Sequence, residues 1–291
     1  MDSQTPSSSS ASSSSPVVNI RPWRPAAQRN LRNQWSKLAS LWHDWLSSSS
    51  SARSHATALV NSYLSQKYLD AMELGVLSDM PGIRRNASLK LSKQQEVHHN
   101  KLVSSYKDMM AVVTGMVNAS RSMRCYLKGT TNSPLTQFSH FAQNQNDPGD
   151  GGEVPVFAFW PISLFEKVAD DFVQMFISEL NLKRLLLIEL LSLGDERISE
   201  INSLRWSGEL YPGEFDDLRT CNLYSKGDCK PVLPSLKKGK VENPSVQPGH
   251  QQDRDVLQIY LTTWIAEVNI ERSRVDEIFA IIGAEMHVTL S

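Results

Sequence analysis

The sequence predicts an all-α protein: an elongated, coiled-coil-like bundle of long antiparallel helices, with a disordered N-terminal tail and a disordered insert. Apolar side chains recur at spacings of three and four over long stretches, which places them on one face of a helix. No stretch of any length alternates as a half-buried strand would. The segment from Ile162 to Leu193 runs without Gly or Pro. Pro161 before it is suited to a first turn, and Gly194 after it is suited to a C-terminal stop.

The first 19 residues are almost all Ser, Ala, Pro and Thr, so residues 1–22 are read as a disordered tail that cannot bury enough apolar surface to fold. A helical pattern starts near Pro25, with Leu31, Trp35, Leu38, Trp42 and Trp45/Leu46 on one face. These tryptophans suit either a core or a partner interface. The run Ser47–Ser51 weakens the helix, because serine hydroxyls compete for backbone groups. Periodicity resumes through Ala56, Leu59, Val60, Tyr63, Leu64, Tyr68 and Met72 and stops near Gly75. Met80-Pro-Gly-Ile reads as a turn.

A second helix is expected from Ser92 to Leu127, with Val103, Tyr106, Met110, Val113, Val117 and Ser120 close to a heptad seam. Gly115 costs that helix about 1 kcal/mol, and Gly129 stops it. Residues 129–155 form a flexible polar linker. The third helix carries the stripe Phe165, Val168, Phe172, Met175, Leu180, Leu187 and Leu190, widened by Leu182, Leu185 and Leu186. A helix so apolar is either central in a bundle or covered by a partner.

Residues 203–254 have no period and are rich in Pro, Gly and Lys, so they are read as a disordered insert; structureless loops beyond about 15 residues are uncommon inside compact domains. The helical pattern returns at Val256, Leu257, Tyr260, Leu261 and Trp264 and continues to Met286. The bundle thus comprises residues 23–200 and 255–288.

With 30 basic and 31 acidic residues, the balance of charge makes no case for a dedicated nucleic-acid binder. Three scattered cysteines suggest a reducing compartment rather than a disulfide framework. The Ser-rich start is unlike a secretory signal. The most apolar run, Leu185–Leu193, is far shorter than the roughly 20 residues that span a bilayer. A soluble intracellular protein is therefore expected.

Motifs that carry chemistry are not found. There is no phosphate-binding GxxxxGK[ST], and Gly149-Asp-Gly-Gly sits in a polar linker with no strand before it. His98 and His99 point about 100° apart on a helix and cannot chelate as an i,i+4 pair would. They are expected to face solvent. Cys221 and Cys229 have no matching ligands, and His43-Asp44 face different directions with no nucleophile placed beside them. No enzymatic activity, cofactor or metal is expected. Glu179 and Lys183 form an i,i+4 pair that either supports the helix or, with Arg184, borders a partner-binding face. Trp160-Pro161 is expected to staple the linker to the start of the third helix.

The block FWPISLFEKVADDFVQMFISELNLKRLLLIELLSLGD resembles the core signature of the cyclin-dependent-kinase-2-interacting protein (CINP) family. The matching positions are Trp160, Pro161, Phe165, Met175, Glu179, Leu180, Leu182, Lys183, Arg184, Glu189, Leu190, Gly194 and Asp195. The closing segment resembles the family's last helix pair through Tyr260, Leu261 and Trp264, and the tryptophan-rich start is a looser match.

The resemblance implies a non-enzymatic, mainly nuclear adaptor, with some in the cytoplasm, that forms a heteromeric helical bundle. It would serve cell-cycle control, DNA replication and checkpoint signalling through cyclin-dependent kinase and licensing factors. The alternative it implies is an adaptor of AAA+ ATPases, with a second small helical protein, in large ribosomal subunit maturation and replisome turnover. A homodimeric coiled-coil structural protein is a third reading. Candidate interface residues are Trp160, Pro161, Phe165, Phe172, Met175, Glu179, Lys183, Arg184, Leu187 and Trp264. That assignment implies that Leu187→Asp abolishes partner binding. The family joins the Gly194-Asp195 end directly to the Trp264 helix, so residues 203–254 are a departure from its pattern.

Overall fold

The structure, a computed structural model, describes residues 23–126, 154–193, 206–234 and 250–290. The expected tail, most of the expected linker, and the stops at Gly129 and Gly194 lie outside these residues. The described chain is all-α apart from one two-residue strand pair.

Helix α1 (Trp23–Tyr68) is continuous over 46 residues, about 69 Å at 1.5 Å per residue. It crosses Ser47–Ser51 without a break, because those hydroxyls find partners that suit the helix. Ser48 donates to the carbonyl of Asp44 at 2.9 Å, Ser49 to the Glu267 carboxylate at 2.5 Å, and Ser51 pairs with Ser105 at 3.1 Å. Burial of Trp45 and Ala52 on either side of the run holds the face in place. Tertiary packing thus overrides local propensity.

Helix α2 (Ile83–Ser122) starts nine residues before the expected Ser92. Gly82, at φ 77°, turns the chain in the left-handed region and its carbonyl receives Asn86 N–H at 3.0 Å. The α1–α2 pair is antiparallel: Asn30 bonds Ser122, Ser51 bonds Ser105 and Gln66 bonds Ser88. The cost expected at Gly115 has a return. A Cβ there would stand 3.2 Å from Leu41 Cδ2, so the Leu41 side chain packs onto the space that glycine leaves open.

Helix α3 (Ile162–Leu191) runs antiparallel to α2 and parallel to α1. Pro161 is its N-cap in extended conformation rather than its first-turn residue. Phe176 lies at the centre of the core, 5.6 Å from Trp42, 5.3 Å from Trp45 and 4.9 Å from Phe172, ring to ring. Helices α5 (His250–Ala266) and α6 (Arg272–Met286) form a closing hairpin. Its second helix packs Phe279 between Trp35 at 6.3 Å and Phe172 at 5.4 Å. The four tryptophans Trp35, Trp42, Trp45 and Trp264 are core residues, which decides between the two readings of the tryptophan-rich helix.

Two expectations are corrected here. Residues 206–234, part of the expected disordered insert 203–254, are ordered. They form helix α4 (Glu214–Thr220) and the pair β1 (Tyr224–Ser225) and β2 (Lys230–Pro231), and they bury Tyr211, Glu214, Leu218 and Cys221 against the bundle. The sequence hid this because the segment owes its order to contacts with α2 and α3, not to a period of its own. Second, Phe165, Phe172, Glu179, Lys183, Arg184 and Leu187 are all 0% exposed and Trp264 1%. They are enclosed by this chain's own helices, so they do not form a surface for a partner. Leu187→Asp would therefore place a charge in the core rather than strip an interface.

Phe176→Ala should destabilise the bundle by about 3–5 kcal/mol, the cost of emptying a close-packed aromatic site, read as a lower urea midpoint.

Candidate functional site

Of the residues singled out on α3, Glu179, Lys183 and Arg184 lie in two adjoining polar nodes inside the bundle. Lys183 and Arg184 are neighbours in sequence, so they leave the helix about 100° apart. Each reaches a different part of the molecule.

Lys183 holds the closing hairpin. Its Nζ donates to the carbonyl of Trp264 at 2.9 Å, lies 3.4 Å from Glu179 Oε1 and 3.9 Å from Glu267 Oε1, and sits 4.8 Å from the Trp264 ring centroid. Glu179 Oε2 accepts from both the backbone and side-chain nitrogens of Asn269 at 3.0 Å. Glu267 accepts from Trp45 Nε1 at 3.2 Å and from Ser49, and pairs with Arg272 at 3.4 Å. Glu267 is in the left-handed region at φ 48°, a conformation that persists only where the surroundings over-determine it. Here four partners do so. Burial lowers the Lys183 pKa, and the Glu179 and Glu267 carboxylates oppose that shift.

Arg184 holds residues 206–234. Its Nε donates to Glu214 Oε1 at 2.8 Å and its Nη2 to Glu214 Oε2 at 3.2 Å, a two-point pairing of guanidinium with carboxylate. Its remaining N–H groups reach the carbonyls of Trp206 at 2.9 Å and Gly208 at 2.7 Å, and its plane lies 4.7 Å from the Trp206 ring centroid. Glu214 also accepts from Tyr106 OH at 2.9 Å and Leu210 N–H at 2.7 Å. Each nitrogen of the Arg184 guanidinium and both oxygens of Glu214 have a partner, which is the condition for a buried ion pair to be tolerated.

The Trp160-Pro161 staple forms as expected. Trp160 O accepts from Val156 N–H at 2.9 Å, and Phe165 sits between Trp160 at 5.4 Å and Phe157 at 5.6 Å, ring to ring. Glu285 from α6 accepts the N–H groups of Phe159 and Trp160 at 2.6 and 2.8 Å, while Arg24 from α1 donates to the carbonyls of Val156 and Phe157 at 2.9 Å. Trp160, Pro161 and Met175 are part-buried.

Glu214, Glu267, Asn269 and Glu285 were not singled out from the sequence. No motif marks them; each is an ordinary polar residue until the fold places it against Lys183, Arg184, Glu179 or the staple. The other candidate chemistry dissolves similarly. His98 is half-buried, contrary to the solvent-facing expectation, with its ring 5.7 Å from that of His55. Burial, followed by His98 and Lys101, lowers the His55 pKa. His43 Nδ1 lies 2.9 Å from the carbonyl of Ala39 within its own helix. Among the described residues, no group of three or more His, Cys, Asp or Glu side chains could hold a metal ion. No helix among them is long and apolar enough to cross a membrane. A groove of about 500 Å³ between α1 and α6, lined by Trp42, His43, Asp276, Phe279 and Gly283, contains none of the candidate residues.

In comparisons with known proteins, no family model and no curated sequence matches this chain.

The docked segment should be sensitive to alkali. Burial pushes the Cys221 thiol up from 9.0 to about 11 and, with the neighbouring carboxylates, raises the Tyr106 and Tyr211 phenols. Groups with raised pKa values keep their protons in the folded state after the unfolded chain has released them. Stability is therefore intact below pH 9 and falls as pH rises through about 11. Cys221→Ala should flatten the first part of that fall in unfolding titrations at stepped pH. Arg184→Met should cost about 3–5 kcal/mol by leaving the Glu214 charge unpaired and should speed amide exchange across 207–223. Adding Glu214→Leu should restore part of the loss, since it removes the orphaned charge.

Proposed function

We propose that this protein is a non-enzymatic adaptor that binds other helical proteins, as its resemblance to the CINP family implies. Its setting would be cell-cycle control, DNA replication and checkpoint signalling, mainly in the nucleus. The signature residues that carry the resemblance are the ones that hold the bundle together: Glu179 and Lys183 fasten the closing hairpin, Arg184 fastens residues 206–234, and Trp160-Pro161 fastens the start of α3. A likeness in those residues is thus a likeness in architecture, and a partner surface belongs elsewhere on the molecule.

One observation carries the reading. Between Asn61 and Lys101 the only buried side chain is Gln95, so this end of the α1–α2 pair is a two-helix arm standing clear of the core. It exposes Met72, Val76, Leu77, Met80, Leu89 and Val97. Exposed large apolar residues gathered on one projecting element mark interaction sites more often than stray surface residues do. The arm buries no apolar side chain fully, and hydrogen bonds join its helices, with Gln95 donating to Gln66 at 2.5 Å and Gln66 to Ser88 at 3.1 Å. An arm held this way gains little hydrophobic stabilisation of its own and gains more from a partner.

Capture of the tagged full chain, followed by mass measurement of the intact complex, tests this. The expected result is a stoichiometric heteromer with a helical protein, joined by cyclin-dependent kinase or licensing factors. Recovery with an AAA+ ATPase and ribosomal-subunit factors would move the adaptor to that setting. A stable monomer or homodimer with no stoichiometric companion would overturn the adaptor reading.

A further inference from the structure

We infer that the turn at the free end of the arm is an acidic, apolar knob that seats in an apolar groove of a partner protein rimmed by lysine and arginine. This rests on the adaptor reading and assigns it a surface and a partner chemistry.

The turn is built rather than loose. Leu77 N–H bonds Leu74 O at 2.9 Å, Ser78 Oγ donates to Gly75 O at 2.8 Å, and Met80 N–H bonds Leu77 O at 3.1 Å. Arg84 reaches back from α2 to the carbonyls of Asp70 at 3.0 Å and Met72 at 2.5 Å. Gly75 at φ 52° and Gly82 at φ 77° supply the two reversals of direction. On this frame Val76 is 92% exposed, Met80 53%, Met72 50% and Leu77 40%. Four large apolar side chains held outward by a hydrogen-bonded turn lose little freedom on binding, which favours tight association.

Charge selects the occupant. Leu69–Gly82 contains the carboxylates Asp70, Glu73 and Asp79 and no Lys or Arg. All three acids are exposed, and none has an ion pair among the described residues. The nearest cation in sequence on the α2 side, Arg84, has its guanidinium directed to backbone carbonyls. An apolar knob ringed by free carboxylates complements an apolar groove with a cationic rim. The same carboxylates oppose an anionic lipid surface, where cations beside the apolar residues are favoured.

The test titrates two labelled amphipathic helical peptides with the full chain by fluorescence anisotropy, one of leucine and lysine and one of leucine and glutamate. The leucine–lysine peptide should bind at least tenfold more tightly. Val76→Asp/Met80→Asp should weaken it tenfold or more with an unchanged circular dichroism spectrum, since both side chains are exposed. Asp70→Asn/Glu73→Gln/Asp79→Asn should remove most of the discrimination between the two peptides. Equal binding of both peptides, or binding untouched by the Val76/Met80 change, overturns the inference while leaving the adaptor reading to its own capture experiment. Self-association of the chain, or sedimentation with phosphatidylserine vesicles, that is abolished by the Val76/Met80 change would overturn it in favour of those occupants.

Discussion

The fold depends on two cations placed side by side on one helix and turned in different directions. Lys183 and Arg184 are fully enclosed, and each must find oxygen partners or impose a large desolvation cost. Lys183 finds them in Glu179 one turn back on its own helix, in the Trp264 carbonyl near the end of α5 and in Glu267 just beyond it. Arg184 finds them in Glu214 and the Trp206 and Gly208 carbonyls. The position of the closing hairpin and that of residues 206–234 are thereby specified from α3. Apolar packing supplies most of the stabilisation, but it is non-directional. The ion pairs decide which segment lies on which side.

Charge distribution extends the same logic. The α1–α2 pair is rich in Lys and Arg, whereas α3, residues 206–234 and the closing hairpin carry most of the acids among the described residues. The near-neutral total conceals this division. An ion pair joins the two sides, Arg124 with Glu166, and Lys107 lies over the Tyr211 ring at 5.3 Å. At the turn that ends the arm, the acids Asp70, Glu73 and Asp79 stand among exposed apolar residues.

Stability is accordingly uneven along the molecule. Near α3, aromatic rings from α1, α3 and α6 interlock around Phe176 and Phe172. Toward Gln66 and Ser88 the same two long helices bury no apolar side chain fully, and amides and hydroxyls hydrogen-bond between them. Local opening is cheapest where few apolar contacts are buried, so the arm is the end able to adjust to a partner.

The sequence by itself determined the helices and their inner faces. Leu31, Trp35, Leu38, Trp42 and Trp45 recur at helical spacing, and they are all buried. The Trp160-Pro161 start of α3 was legible for the same reason: local spacing and proline geometry are properties of a few adjacent residues. Only the tertiary structure decided what those faces meet. Periodicity shows that a face must be covered but not whether the chain or a partner covers it, so Phe172, Lys183 and Leu187 read equally well as interface and as core. The serine run and residues 206–234 were misjudged because their order comes from residues far away in sequence: Glu267 and Ser105 for the serines, Arg184 and Tyr106 for Glu214. Hydrogen bonds and ion pairs across such separations leave no periodic trace, because either partner is an ordinary polar residue until the fold brings the other within reach.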